Sequence, residues 1–207
     1  MPRTKVIGFD WGGVIFQNPG GNFNDAAAAF LGINGDEFRR AYFLHNHMIN
    51  KGELTTSFEE AIDMWKAILT ELDMLGRLGA FMEFVRSRPK GEVSQPMVNL
   101  ITRLKQAGWK IGLLSNTSVE GAQTIRAESC FTLFDVALFS AEIGGMKPEP
   151  LVFLKLAKSL GAAVDRLVFI DDSAHSLSTA PAVGYTPVRF QTIDQLVHDL
   201  AFLGIVV

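Results

Sequence analysis

The sequence predicts an α/β fold: a Rossmann-like parallel sheet with helices on both faces, carrying an inserted helical cap. Three observations lead there. A short apolar run, Val6-Ile7-Gly8-Phe9, stops at Asp10 and a Gly12-Gly13 turn, as a buried strand does. Beyond Arg88-Pro89-Lys90-Gly91, helical and strand patterns alternate, which calls for parallel pairing through right-handed crossovers. Between the two lies a long stretch of helical spacing with no place in that alternation. The expected division is residues 1–16 and 89–207 for the core and 17–88 for the cap.

Asn18-Pro19-Gly20-Gly21 is a turn, and the alanine-rich segment from Asp25 to Leu31 opens the helical region. Asp36 to Met48 keeps helical spacing. Thr56-Ser57-Phe58-Glu59-Glu60 contains two overlapping capping-box matches ahead of an apolar stripe from Ala61 to Leu72. Met74 to Val85 is helical as well, and no strand is expected between Phe16 and Arg88. In the core, helices are expected at Gln95–Gln106, after a Thr117-x-x-Glu120 cap, at Pro150–Leu160, at Ser173–Val183 and after Thr192-x-x-Gln195. Strands are expected at Trp109–Leu114, Val136–Phe139, Leu167–Ile170 and Thr186–Phe190. Val14, Ile15 and Phe16 are expected to pack between core and cap.

Of 207 residues, 48% are hydrophobic and 20% charged, enough for a real core and too apolar for disorder. A formal net charge of −3 argues against a nucleic-acid partner, which draws a basic face. An anionic small molecule is still possible, because backbone amides and one lysine suffice for a phosphate. No apolar stretch is long enough to span a bilayer, and Asp10 interrupts the first run too early for a secretory signal, so the expected address is the cytoplasm and no membrane partner is expected. The single cysteine, Cys130, excludes an intramolecular disulfide and reads as a packed thiol. Phe43, Trp65 and Phe84 fit either a cap core or an interface, so monomer and homodimer both stay open.

Ligands of open parallel sheets bind beyond the carboxyl ends of the strands, and four polar signals fall there. Asp10 suits a turn, but also a nucleophile toward phosphorus or a ligand for a hard cation. Ser115-Asn116-Thr117 suits a helix cap, but also a phosphate-oxygen holder built from the Ser115 hydroxyl and the Asn116 and Thr117 amides. Lys147, between Gly144-Gly145 and Pro148, suits the surface, but also neutralises charge on a carboxylate and a phosphate together. Asp171-Asp172 suits a helix start, but two adjacent acids after a buried strand also invite a divalent cation. The combination in this order is more specific than any one of its parts.

Those segments resemble the haloacid dehalogenase-like hydrolase superfamily. Phe9-Asp10-Trp11-Gly12-Gly13-Val14-Ile15 is similar to its first motif, Leu114-Ser115-Asn116-Thr117 to its second, Lys147-Pro148-Glu149-Pro150 to its third, and Phe169-Ile170-Asp171-Asp172-Ser173 to its fourth. The resemblance extends over essentially the whole chain, and the branch it most resembles is that of small bacterial sugar-phosphate phosphatases of the α-D-glucose-1-phosphate phosphatase type. It implies an aspartyl-phosphate on Asp10. It implies Mg2+ held by Asp10, the Gly12 carbonyl, Asp172 and Asp171, and phosphoryl oxygens held by Ser115, Asn116 and Lys147. One departure stands out. Most phosphatases of this family carry a second aspartate two residues after the nucleophile, a general acid/base contributing about 10²–10⁴-fold; here that position is Gly12. Good leaving groups, such as anomeric phosphates, would suffer least from the loss. His175, on the helix expected after Asp171, or His47 in the cap is a candidate to assist water attack. Asn22, Asn24, His45, Asn50, Lys51 and Glu53 are further candidates for cap contacts with a ligand. The expected function is a magnesium-dependent phosphatase acting on a small phosphate ester. The alternatives are a 2-haloacid dehalogenase, or a non-catalytic binding protein on the strength of Gly12.

Overall fold

A computed structural model describes residues 6–54 and 57–206. β1 (Val6–Phe9) is followed by a loop and β2 (Phe16–Gln17), then by the helices α1 (Phe23–Leu31), α2 (Gly35–His45), α3 (His47–Asn50), α4 (Ile62–Glu71) and α5 (Leu78–Ser87). β3 (Glu92–Val93) returns the chain to α6 (Gln95–Gln106), β4 (Lys110–Ser115), α7 (Val119–Ala127), β5 (Val136–Phe139), α8 (Ser140–Ile143) and α9 (Pro150–Ser159). β6 (Leu167–Asp171), α10 (Ala180–Val183), β7 (Thr186–Arg189) and α11 (Ile193–Phe202) complete it.

Five strands form a parallel sheet in the order β5-β4-β1-β6-β7. Side chains alternate across it, as strand geometry requires. Ile7, Phe9, Ile111, Leu113, Val168 and Ile170 share one hydrophobic cluster with Met97, Leu100 and Leu104 of α6, Ile125 of α7 and Leu196 and Leu200 of α11. Val6, Leu114, Leu167 and Phe169 share another with Val152, Phe153 and Leu156 of α9. Gly8 and Gly112 face each other in register on this second side. A Cβ on either would lie 2.7–2.8 Å from a methyl of Leu156, so the paired glycines are what lets α9 sit against the sheet. Ser94 caps α6 through the Met97 amide, and Thr192 with Gln195 forms the expected capping box on α11.

The helices between β2 and β3 have a hydrophobic cluster of their own around Phe38, Met64, Trp65, Ile68 and Phe81. Trp65 is fully buried there, its indole N–H donating to the Phe58 carbonyl at 3.0 Å. Cys130 is buried and unpaired, as expected. Among the described residues no helix is long and apolar enough to cross a membrane.

The structure corrects several expectations. β2 and β3 pair antiparallel where no strand was expected, tying together the two segments that lead into and out of the helical insertion. A two-residue strand is too short to leave a periodicity. Val14 and Ile15 are fully buried in the sheet core rather than between core and cap. The Asp36–Met48 helix breaks at Asn46, a poor helix former. Ser57 accepts the Glu60 amide within a turn, while α4 starts later with Ala61 at its cap and no side-chain bond; Thr56 lies outside the described residues. Ser118, not Thr117, caps α7. The helix expected over Ser173–Val183 shrinks to α10. Pro181 has no amide to give the Leu177 carbonyl and fits only a first turn, so the helix begins at Ala180 and residues 174–179 form turns.

Candidate active site

Parallel pairing puts the carboxyl ends of β1, β4 and β6 on one edge of the sheet. The Asp10 amide donates to the Ile170 carbonyl at 2.9 Å, extending the ladder one step and setting Asp10 beside Asp171. Lys147 arrives from the loop after α8 and is 2% exposed. Its Nζ lies 2.8 Å from Asp10 Oδ1 and 2.5 Å from Asp171 Oδ2. The Trp11 amide also donates to Asp10 Oδ1, at 2.7 Å, and the Ser173 amide donates to Asp171 Oδ1 at 2.8 Å. Asp171 is fully buried, whereas the Asp10 side chain keeps 14% exposure. The nucleophile candidate therefore has an open side and its neighbour does not.

Asp172 completes the cluster: Asp10, Asp171 and Asp172 each offer a carboxylate oxygen within 4.8 Å of the others. Gly13 makes this approach possible. Its φ of +74° suits glycine, and a Cβ there would run into the Asp172 carboxylate. Burial raises the Asp10 carboxyl to about 7, against the pull of Lys147 and with the help of Asp171's charge. Burial and the Asp171 charge raise Asp172 as well. Burial pulls the Lys147 ammonium down, but Asp10 and Asp171 outweigh it and its pKa stands above the ordinary value. One lysine thus serves three crowded acids, and a hard divalent cation with oxygen ligands would relieve the remainder.

The second motif divides its labour in a way the sequence did not disclose. The Asn116 side chain donates to the Lys147 carbonyl at 2.9 Å and accepts from the Lys147 amide at 2.8 Å, fastening the lysine loop across 31 residues. The Thr117 amide is taken by Ser140 Oγ at 2.9 Å, so it is not available to a phosphate. Ser115 is 4% exposed and its hydroxyl has no partner among the described residues, so that donor is free. Thr179 Oγ1 holds the Pro148 carbonyl at 2.8 Å and fixes the far side of the same loop.

Gly12 is exposed, and a Cβ there would meet nothing within 4 Å. Neither candidate histidine joins the carboxylates. His175 sits on the exposed turn and stacks on Phe43 of α2, with ring centroids 4.3 Å apart. It is a contact between insertion and core. His47 stays within the insertion, 3.0 Å from the Leu44 carbonyl and 3.6 Å from Glu53. Sequence reasoning missed the Lys51–Glu149 ion pair, 2.6 Å long, which joins the insertion to the Lys147 loop. The only signal was the charge of Glu149, inside the third motif and two residues after Lys147. Beside the site lies a cleft of about 460 Å³, bordered by Trp11 and Asn116 from the motif loops, by Tyr42 and Asn50 from the insertion, and by Ser118 and Thr124 beyond β4.

The model of the haloacid dehalogenase-like hydrolases matches residues 4–184. The chain belongs to that family. A phosphatase of Mycobacterium tuberculosis (strain CDC 1551 / Oshkosh) is 31% identical over 138 residues, 64% of this chain and 60% of that protein. The bifunctional epoxide hydrolase 2 of Rattus norvegicus is 24% identical over 122 residues, 56% of this chain and 22% of that protein. The chain therefore spans three fifths of the first relative and about a fifth of the second. Among solved structures, a haloacid dehalogenase family enzyme of Bacteroides thetaiotaomicron in its magnesium complex superposes with a TM-score of 0.64 at 20% identity, over 95% of this chain and 98% of that one. An L-2-haloacid dehalogenase superposes with a TM-score of 0.60 at 16% identity, over 92% and 88%. At such identities the likeness is one of fold, and it confirms the α/β architecture of this family member.

Proposed function

We propose that this family member is a magnesium-dependent phosphatase that hydrolyses a small phosphate ester, a sugar phosphate, through an aspartyl-phosphate on Asp10. The observation that carries the reading is the cluster itself: Asp10 partly open, bound to Lys147, with Asp171 and Asp172 within 4.8 Å. The insertion, residues 17–88, serves as a cap over the cleft.

The residues fit a magnesium ion, since three carboxylates outnumber one ammonium and burial raises Asp10 and Asp172. Asp10, Asp172 and Asp171 would hold it, with the Gly12 carbonyl; bound, it supplies Lewis-acid neutralisation of phosphoryl charge. The chain's own groups do the rest. Asp10 Oδ1 is committed to Trp11 and Lys147, which leaves Oδ2 to attack phosphorus as the ester P–O bond breaks and the departing alkoxide takes its proton from water. Lys147 stays cationic between its two acids and stabilises charge on the transferring oxygens. The Ser115 hydroxyl and the Asn116 amide hold those oxygens, and the Asn116 side chain keeps Lys147 in place. Water then cleaves the acyl phosphate.

Gly12 supplies no proton to the leaving group, so the reading favours esters whose leaving alcohol departs readily, anomeric phosphates among them. Gly12 is also the one observation favouring a second reading, a binding protein without turnover. The test is phosphate release from an activated ester with magnesium and with chelator. Wild type releases phosphate only with magnesium, and Asp10→Asn releases none. Turnover surviving in Asp10→Asn removes the mechanism, and no turnover in wild type favours the binding reading.

A further inference from the structure

Asn50 is a buried cap residue with no internal reason to be there. It closes α3 and is 6% exposed, and its side-chain amide has no hydrogen-bond partner among the described residues. A primary amide carries two donors and an acceptor, and the described residues pair none of them here. Yet Asn50 is not sealed in, because it lines the cleft beside the site. An orphaned amide on a cleft wall is a group waiting for a ligand.

The rest of the wall says what kind. Glu59, Glu120 and Glu128 border the cleft, and among the described residues lining it there is no lysine, arginine or histidine. Lys147 is held between Asp10 and Asp171 at the catalytic end. A second phosphate or a carboxylate on the substrate would face carboxylates with no cation to pair it, whereas hydroxyl groups would find acceptors. The aromatic residues are packed on one another: Trp11 stacks on Phe16 at 6.1 Å and Phe23 meets Phe58 edge-on at 4.9 Å. They form an apolar wall, not a cage of rings around a cation.

We propose that Asn50 is a specificity-determining residue that hydrogen-bonds the leaving group of the phosphate ester, and that the leaving group selected is uncharged and hydroxylated, with no second anionic substituent. This inference rests on the phosphatase reading above. It assigns a defined role to one of several cap residues that the sequence offered without distinction.

The experiment compares kcat/KM of the full chain on p-nitrophenyl phosphate, α-D-glucose 1-phosphate, α-D-glucose 1,6-bisphosphate and phosphocholine, for wild type, Asn50→Ala, Asn50→Ser and Glu120→Lys. Wild type prefers the hexose monophosphate over the bisphosphate and over phosphocholine by at least tenfold. In both Asn50 variants the ratio of hexose monophosphate to p-nitrophenyl phosphate falls by at least tenfold. Glu120→Lys, an exposed change on α7, narrows the preference against the bisphosphate by at least threefold and keeps the inference testable even without soluble Asn50 variants. An unchanged ratio in the Asn50 variants, or equal use of the bisphosphate by wild type, overturns the inference. So does a preference for phosphocholine. If p-nitrophenyl phosphate is turned over in an Asp10-dependent way with no discrimination among the other esters, this inference fails and the phosphatase reading stands. No turnover of any ester sinks both.

Discussion

Replacing Lys147 by methionine removes the only positive charge contacting Asp10 and Asp171 among the described residues, at nearly constant side-chain volume. At 2.8 Å and 2.5 Å, and an effective dielectric of about 20, each contact is worth about 6 kcal/mol of gross attraction. Most of that is offset by desolvation, and breaking a buried pair on one side typically costs about 3–5 kcal/mol. The cost depends on pH. Asp10 already titrates near 7, raised by burial, so its neutral form is favoured in the folded state. A carboxyl whose folded pKa lies above its unfolded value contributes stability at low pH and loses it as pH rises through the folded pKa. Without Lys147 the Asp10 carboxyl rises further, so its loss of about 1.4 kcal/mol per pH unit, which in wild type ends near pH 7, continues to higher pH. Lys147→Met therefore loses about 3–5 kcal/mol at pH 8 and less at pH 5, by up to about 1.4 kcal/mol, the loss that Asp10 adds between pH 7 and pH 8. Urea unfolding of apo wild type and variant at both pH values, with matching slopes, measures this directly. An equal loss at the two pH values would mean that the lysine only fills space, and the electrostatic account of the site would be wrong.

Three further outcomes follow from the same geometry. Gly12→Asp has room for its side chain, so it should raise kcat on esters of poor leaving groups by at least tenfold, within the range of about 10²–10⁴ for a general acid/base; steady-state rates on an alkyl phosphate check it, and no gain would show that position 12 does not reach the leaving oxygen. Magnesium must displace the proton that Asp10 holds below about pH 7, so the rise in Tm on adding magnesium should be larger at pH 8 than at pH 6; a pH-independent rise would take Asp10 out of the metal site. Gly13→Ala combines a positive φ with a collision against Asp172, so it should cost about 1–3 kcal/mol and abolish the magnesium-induced rise in Tm; calorimetry with and without magnesium decides, and a normal magnesium response would separate Asp172 from metal binding.

What the sequence made legible was the set of strand ends. Val6–Phe9 and Leu167–Ile170 are short apolar runs that stop at acids, and a parallel sheet aligns such stops on one edge, so the meeting of Asp10 and Asp171 could be anticipated from pattern alone, whereas Lys147 comes from the loop after α8 and only its place in the ordered set of motifs pointed to it. What stayed hidden depends on contacts distant in sequence. Nothing local says that Asn116 spends its side chain on the Lys147 backbone, or that Gly13 is needed because Asp172 passes over it. Asn50 was one of several polar residues of the insertion; Asn24 and His45 also bury an unpaired atom, and only Asn50 among them lines the cleft. His175 looked useful because its position was projected along a helix; Pro181 fits only a first turn, so that helix starts at Ala180, beyond His175, and the ring meets Phe43 instead.

The central claim is that Asp10 becomes covalently phosphorylated during turnover. Acid-quenched peptide mapping, after brief mixing of the magnesium-loaded protein with an activated phosphate ester, tests it most directly. The account predicts an acid-stable phosphoryl label on the peptide containing Asp10 in wild type and none in Asp10→Asn. Steady phosphate release with the label on another residue would contradict it.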